Sequence, residues 1–165
     1  MEAFLNSVDL ESGRDDFDSL VRFRGWLVAN GHRAAAHDLI DEDLLFAREV
    51  RDALREEVRG YAGSSARLNE LAARVALRAY FTPAGIRLEP AEDGVNGVLG
   101  EILGAAVVAA RDGHWQRLKI CREPRCQIAF YDRSKNSSRC WCSMSACGNR
   151  NKTRAYRGRR RLARE

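Results

Sequence analysis

The sequence predicts a mainly α protein in two parts. An N-terminal helical domain with a small β-hairpin occupies residues 1–112, and a small cysteine-rich module with short strands and a basic helix occupies 113–165. Three observations carry that expectation. Apolar residues upstream recur at helical spacing, all five cysteines lie between positions 121 and 147, and charge is divided sharply along the chain. Residues 1–110 hold 12 basic and 19 acidic side chains, a net −7, whereas residues 111–165 hold 16 and 4, a net +12. A chain of 165 residues is long enough for one ordinary domain and a small module, not for two full cores. No uninterrupted apolar run approaches the roughly 20 residues that span a bilayer. The first ten positions lack the basic start and apolar middle of a secretory signal, and Asp9 and Glu11 come early.

Residues 18–30 contain LVRFRGWLVAN, in which Leu20, Phe23 and Leu27 fall at helical spacing and Asn30-Gly31 supplies a stop. A longer helix is expected from Asp41 to Tyr61. Leu44, Leu45, Val50, Leu54 and Val58 form its apolar stripe, and Gly60 with Ala62-Gly63 ends it. Ser65 is placed to cap a third helix through Leu68, Leu71, Ala72 and Val75. Tyr80-Phe81-Thr82 and Ile86-Arg87-Leu88 then flank Pro83-Ala84-Gly85, the pattern of a small hairpin. Val95 to Arg111 is apolar and alanine-rich and reads as a buried helix, although Gly97 and Gly100 each cost roughly 1 kcal/mol against alanine there. Asp112-Gly113 marks the boundary with the second part.

The cysteines are spaced Cys121-x4-Cys126, then fifteen residues, then Cys142-x4-Cys147. Their clustering and odd number argue against a disulfide scaffold. Two such pairs can bring four thiolates onto one tetrahedral ion, and zinc, with Zn–S near ~2.3 Å, suits four sulfur ligands. An iron–sulfur centre is the alternative for the same set. So short a segment buries too little apolar surface to fold unaided, so one structural zinc ion should supply much of its stability. Cys140 lies two residues before Cys142, and on an extended segment both side chains point the same way. Cys142 is preferred because it repeats the x4 spacing. Residues 127–131 (QIAFY) are the expected strand of this treble-clef-like zinc module, and 132–139 (DRSKNSSR) a polar, basic loop. Ser143 is placed to cap a helix that starts at Met144, takes Cys147 into its first turn and continues through the tail.

On an ideal helix over 144–164, Arg150, Arg154, Arg157, Arg161 and Arg164 fall within about 80° of arc. Lys152, Arg159 and Arg160 flank them, while Met144, Cys147, Ala155 and Leu162 form a neighbouring stripe that can face the zinc core. Arginines so concentrated repel one another until a polyanion neutralises them, and arginine matches phosphate and guanine edges. Lys135, Asn136 and Arg139 of the loop offer a second set of contacts. The expected partner is therefore duplex DNA, and the expected location the cytoplasm, at the nucleoid and not at a membrane. Tyr131, Trp141 and Tyr156 can stack on unpaired bases, which keeps an RNA-binding or nonspecific nucleic-acid-binding role as the alternative; packing around the metal explains the same residues.

Trp141-Cys142-Ser143-Met144 followed by Cys147-Gly148-Asn149-Arg150 closely resembles the CGNR zinc-finger family. Phe130-Tyr131-Asp132-Arg133-Ser134-Lys135-Asn136 is similar to that family's F-x-D-x-S-[RK]-N segment, and Arg117-Leu118-Lys119-x-Cys121 to its approach to the first ligand. Upstream, Phe4-Leu5-Asn6-Ser7 and Leu68-Asn69-Glu70-Leu71 resemble the ABATE-type domain that precedes this finger in bacteria. The resemblance implies ligands at Cys121, Cys126, Cys142 and Cys147, in agreement with the spacing, and a stress-linked, DNA-binding transcription regulator. The acidic N-terminal domain is then expected to sense a small-molecule effector or to form a homodimer. Asn6 and Asp9 are its candidate pocket residues, against the plainer expectation of a structural asparagine and a surface carboxylate. Cys140 departs from the family's usual arginine and adds a thiol next to a ligand and several arginines, a setting for a redox switch. No enzymatic activity is expected. Four thiolates leave no open metal position, and His32, His37 and His114 are scattered.

Overall fold

The computed structural model describes residues 1–162. Helix α1 (Glu2–Leu5) buries Phe4 and Leu5 and leads into a short antiparallel pairing of β1 (Val8–Asp9) with β2 (Arg14–Asp15). Asp9 sets the turn between them, accepting from the Glu11 amide at 2.9 Å and the Ser12 hydroxyl at 2.7 Å. It is a turn-forming carboxylate, the plainer of the two expectations. Ser19 caps α2 (Leu20–Ala29) by accepting from the Arg22 amide, which satisfies one of the donors a helix start leaves free. Phe23, Trp26 and Leu27 form the buried face of α2. Phe17 of the preceding loop meets Phe4, Phe23 and Trp26 at ring separations of 4.8 to 5.6 Å.

The core is organised on α3 (Asp41–Arg59), whose first turn carries Asp41, Glu42 and Asp43 where the helix dipole favours negative charge. Gly60 ends it in the left-handed conformation (φ 73°), and the Gly60 and Tyr61 amides reach back to Glu57 and Glu56. Leu44, Phe46, Ala47, Val50, Ala53 and Leu54 fill the buried face together with two arginines. Arg51 is 2% exposed and donates to both Asp15 oxygens (2.6 and 3.0 Å), to Asp52 (2.9 Å) and to the Ser7 hydroxyl (3.3 Å). Arg55 donates to the carbonyls of Leu5 (2.5 Å) and Gln127 (2.8 Å), and burial lowers its pKa to about 10.

Helix α4 (Ser64–Ala72) starts two residues earlier than a Ser65 cap requires, because left-handed Gly63 (φ 84°) turns the chain. The Ser64 and Ser65 hydroxyls both donate to Glu57. The helix stops at Ala72, so Val75 enters the core from the following turn. Strands β3 (Leu77–Thr82) and β4 (Gly85–Pro90) form the hairpin, with Thr82 opposite Gly85 across Pro83-Ala84. Helix α5 (Gly94–Arg111) packs on β4, and the close approach of β4 and of the turn that follows it accounts for two of its glycines. A Cβ on Gly97 would lie 2.6 Å from the Glu92 carbonyl oxygen, and one on Gly100 would lie 3.0 Å from Pro90 Cβ. Lost helix propensity is exchanged for close approach. By length and composition alone α5 could also cross a bilayer, contrary to the expectation from uninterrupted apolar runs; here Val95, Val98, Leu99, Ile102 and Leu103 lie in the core.

The second part opens with antiparallel β5 (Leu118–Ile120) and β6 (Ala129–Tyr131). The second strand begins at 129 and not 127 because Gln127 is left-handed (φ 49°). Ser143 caps the next element as expected, but Met144–Gly148 form a π-helical turn, and α6 (Asn149–Leu162) follows it. Arg164 of the expected arginine face lies outside the described residues. Asn6 ties the two parts together: its side chain donates to the Ala129 carbonyl (2.9 Å) and accepts from the Ala129 amide (2.7 Å). It is a structural asparagine that continues the β6 edge, with Glu2 accepting from the Tyr131 amide beside it. The architecture is thus mainly α with a small C-terminal module.

Burial pushes the Asp15 carboxyl up, but Arg51 and the Phe17 amide outweigh it and hold the group below its usual range. The stabilisation from Asp15 is therefore fully present above the unfolded value of about 4 and is lost as pH falls towards the folded value. Asp15→Asn should cost about 2 kcal/mol at neutral pH, less than a fully buried pair because Asp15 retains solvent contact. Denaturant titrations at neutral and acidic pH should show a shallower acid loss in the variant than in the parent.

Candidate metal centre and nucleic-acid surface

The sulfurs of Cys121, Cys126, Cys142 and Cys147 all lie within 4.8 Å of one another. Cys142 Sγ is 3.6 Å from Cys126 Sγ and 3.7 Å from Cys147 Sγ. A tetrahedral ion with bonds of ~2.3 Å sets sulfur–sulfur edges of about 3.8 Å, so the donor set fits zinc. Backbone bonds make the first knuckle. The Cys126 and Gln127 amides donate to the Glu123 carbonyl, and the Cys121 amide donates to Ile128 across the hairpin. The second pair depends on the π turn, marked by the Gly148 amide donating to the Ser143 carbonyl five residues back at 3.0 Å. Trp141 packs on the cysteine cluster, and a Cβ on Gly148 would meet the Met144 thioether at 2.9 Å. Cys140 stays outside the four-sulfur group, half-buried, with its thiol donating to the Ser138 carbonyl at 3.6 Å.

The loop 132–139 is built around a buried carboxylate. Asp132 accepts from Lys119 Nζ (2.7 Å) and from the Ser134 and Arg139 amides (2.9 Å each). Burial opposes its ionisation, but Lys119 and the loop donors hold the carboxyl well below the usual range. Lys119 also donates to the Ser137 and Arg139 carbonyls, while Arg117 donates to those of Asp132 and Ser134. The Arg-Leu-Lys segment is therefore the frame of the loop, and Lys135 and Asn136 are among its exposed residues, with Arg133 and Ser138. Arg139 is committed differently. Its guanidinium donates to the Cys142 carbonyl (2.5 Å) and lies 5.2 Å over the Phe130 ring.

Two family models match the chain. Residues 117–160 match the CGNR zinc finger, and residues 2–113 match the ABATE model, described as "Putative stress-induced transcription regulator". The second match alone covers more than half of the sequence. The chain belongs to the ABATE family. Among curated proteins no match is found. With a CGNR finger and four convergent sulfurs, the cofactor of this ABATE protein is one structural zinc ion.

Helix α6 of the ABATE protein is anchored by a residue to which the sequence alone assigns no role. Glu123, between the first two cysteines, is fully buried and accepts from Arg154 (3.0 Å) and Asn151 (2.6 Å). Arg154 first, then Asn151, hold its carboxyl below the ordinary value against the opposing effect of burial. An acidic residue between two ligands, in a module of excess positive charge, was the available signal. Arg150 pairs with Glu11 at 2.9 Å. Beyond Arg154 the helix leaves the body, so Ala155 is exposed and does not face the zinc core. Lys152, Arg157, Arg159, Arg160 and Arg161 are exposed, as is Tyr156, with Arg160 lying 5.8 Å over its ring. Tyr131 is half-buried against His114.

Burial pushes the Cys142 thiol up, and the Cys147 thiol to about 11, so zinc uptake must displace protons from both. Competition against a chelator should show apparent affinity falling by at least about a hundredfold per pH unit as pH drops, at least two protons being displaced per ion. Hydrogen exchange after zinc removal should show loss of protection over 117–148 with the α3 core retained.

Proposed function

We propose that this protein is a zinc-dependent, DNA-binding transcription regulator. Residues 1–112 form its ABATE body and residues 113–165 the module that grips duplex DNA, in the cytoplasm at the nucleoid. The observation that carries this reading is the exposed cation set on a metal-fixed frame. Lys135 and Asn136 stand on the loop held by Asp132, while Lys152, Arg157 and Arg161 stand on the helix held by Glu123. Arginine and lysine on a rigid element suit a phosphate backbone, where released counterions supply most of the affinity. Arg150, Arg154 and Arg139 act in this reading mainly as positioning residues, since each already holds a protein partner. The function is binding, without catalysis.

Exposed Tyr156 under Arg160 favours a second reading, in which unpaired bases stack on the helix and the partner is single-stranded RNA. Fluorescence anisotropy with a mixed-sequence duplex and a single-stranded RNA separates the two. Zinc-loaded full-length protein should prefer the duplex. Arg157→Ala and Lys152→Ala should each weaken it about three- to tenfold and lower the salt slope by about one. No duplex binding at low salt sinks the DNA reading, and preference for the single strand promotes the RNA reading.

A further inference from the structure

A cleft of about 920 Å³ opens between the C-terminal end of α3 and the zinc module. That is the size range of small-molecule sites, roughly 300–1,000 Å³. Val58, Leu118 and Ile120 give it an apolar lining, and two aromatic side chains, Tyr61 and Trp115, border it. Tyr61 is 58% exposed, just after the left-handed Gly60 that ends α3. Among the described residues the Tyr61 hydroxyl and the Trp115 indole N–H have no hydrogen-bond partner. Arg59 and Arg122 also line the cleft. Arg59 lies 5.7 Å over the Tyr61 ring and donates to Gln127, whereas Arg122 is exposed with no ion-pair partner among the described residues. Glu57 is the only carboxylate of the lining, and the Ser64 and Ser65 hydroxyls already occupy it.

We propose that this cleft binds a flat aromatic anion, such as a ring carrying a carboxylate, with Tyr61 and Trp115 against the ring and Arg122 and Arg59 at the anionic group. Aromatic faces supply rigid contact area, and a guanidinium matches a carboxylate through paired, charge-assisted bonds. A neutral ring would leave the cation excess of the cleft unanswered. The occupant would touch α3, β5 and residues 137–140 together, and so bridge the ABATE body and the zinc module. Residues 137–140 continue the loop that presents Lys135 and Asn136. Occupancy therefore alters the nucleic-acid surface, a consequence that rests on the DNA-binding reading above.

The test uses the zinc-loaded full chain with salicylate as probe and salicyl alcohol as its neutral counterpart. Ligand-observed NMR titration should show saturable salicylate binding, with the alcohol at least about tenfold weaker. Arg122→Glu, an exposed change that leaves zinc content intact, should weaken salicylate by about tenfold or more, and Tyr61→Ala by about fivefold. Cys140 borders the same cleft, so salicylate should slow its alkylation by iodoacetamide, mapped by mass spectrometry. Absence of salicylate binding overturns the proposal. So does binding that Arg122→Glu leaves unchanged, or an unchanged Cys140 alkylation rate. Duplex affinity measured with and without salicylate reads the coupling separately. An unchanged affinity removes the coupling alone, and no duplex binding in either condition removes the DNA reading while the cleft result stands.

Discussion

Four sulfurs drawn to within 4.8 Å are the constraint on which the C-terminal third depends. The cluster around them contains little else that is apolar: Phe130 is buried there and Trp141 packs alongside. Packing on that scale does not offset the entropy of ordering roughly forty residues, so the metal must supply the difference. It also licenses two buried carboxylates. Glu123 is placed by the first knuckle and holds α6, and Asp132 is placed by the hairpin and holds the 132–139 loop. Each anion is tolerable away from water only because a cation and neutral donors meet it. Loss of the ion would release both knuckles, and with them the two elements that carry the exposed charge.

The body is joined to this module by polar contacts laid over a shared apolar core. Leu118 and Ala129 belong to the main core with α3, so the two parts are packed and not tethered. Asn6 makes both of its bonds to one residue of β6, and Arg55 spans from α1 to Gln127 in the first knuckle. A buried guanidinium between two carbonyls is directional. Displacement of either carbonyl leaves a charge without its acceptor, a cost large enough to fix the relative placement of the parts. Glu11 adds a contact from the acidic body to the basic helix at Arg150. That surface pair contributes little energy by itself, but it joins the negative half of the chain to the positive half.

Features set by local spacing were legible in the sequence. The x4 pairs identified the four cysteines that converge and passed over Cys140, apolar spacing with stops at Asn30-Gly31 and Gly60 marked the second and third helices, and the hairpin is visible from Pro83-Ala84-Gly85. Features set by distant partners were not. Glu123 looks like surface charge until Asn151 and Arg154 are brought over it, and Asn6 looks like an isolated polar residue until Ala129 arrives. Gly97 and Gly100 weaken a helix in isolation and make sense only against Glu92 and Pro90. The π turn at Met144–Gly148 escaped for a related reason: ideal periodicity ran straight through a segment whose geometry places Cys147 beside Cys142. That same idealisation put Ala155 on the core side of α6.

The central claim is that one ion, bound by Cys121, Cys126, Cys142 and Cys147, fixes the whole C-terminal surface. X-ray absorption spectroscopy of the purified full chain, combined with metal analysis, tests it most directly. The account predicts one zinc per chain and a first shell of four sulfurs at ~2.3 Å. A nitrogen or oxygen ligand in that shell, three sulfurs in place of four, or iron in place of zinc would contradict it.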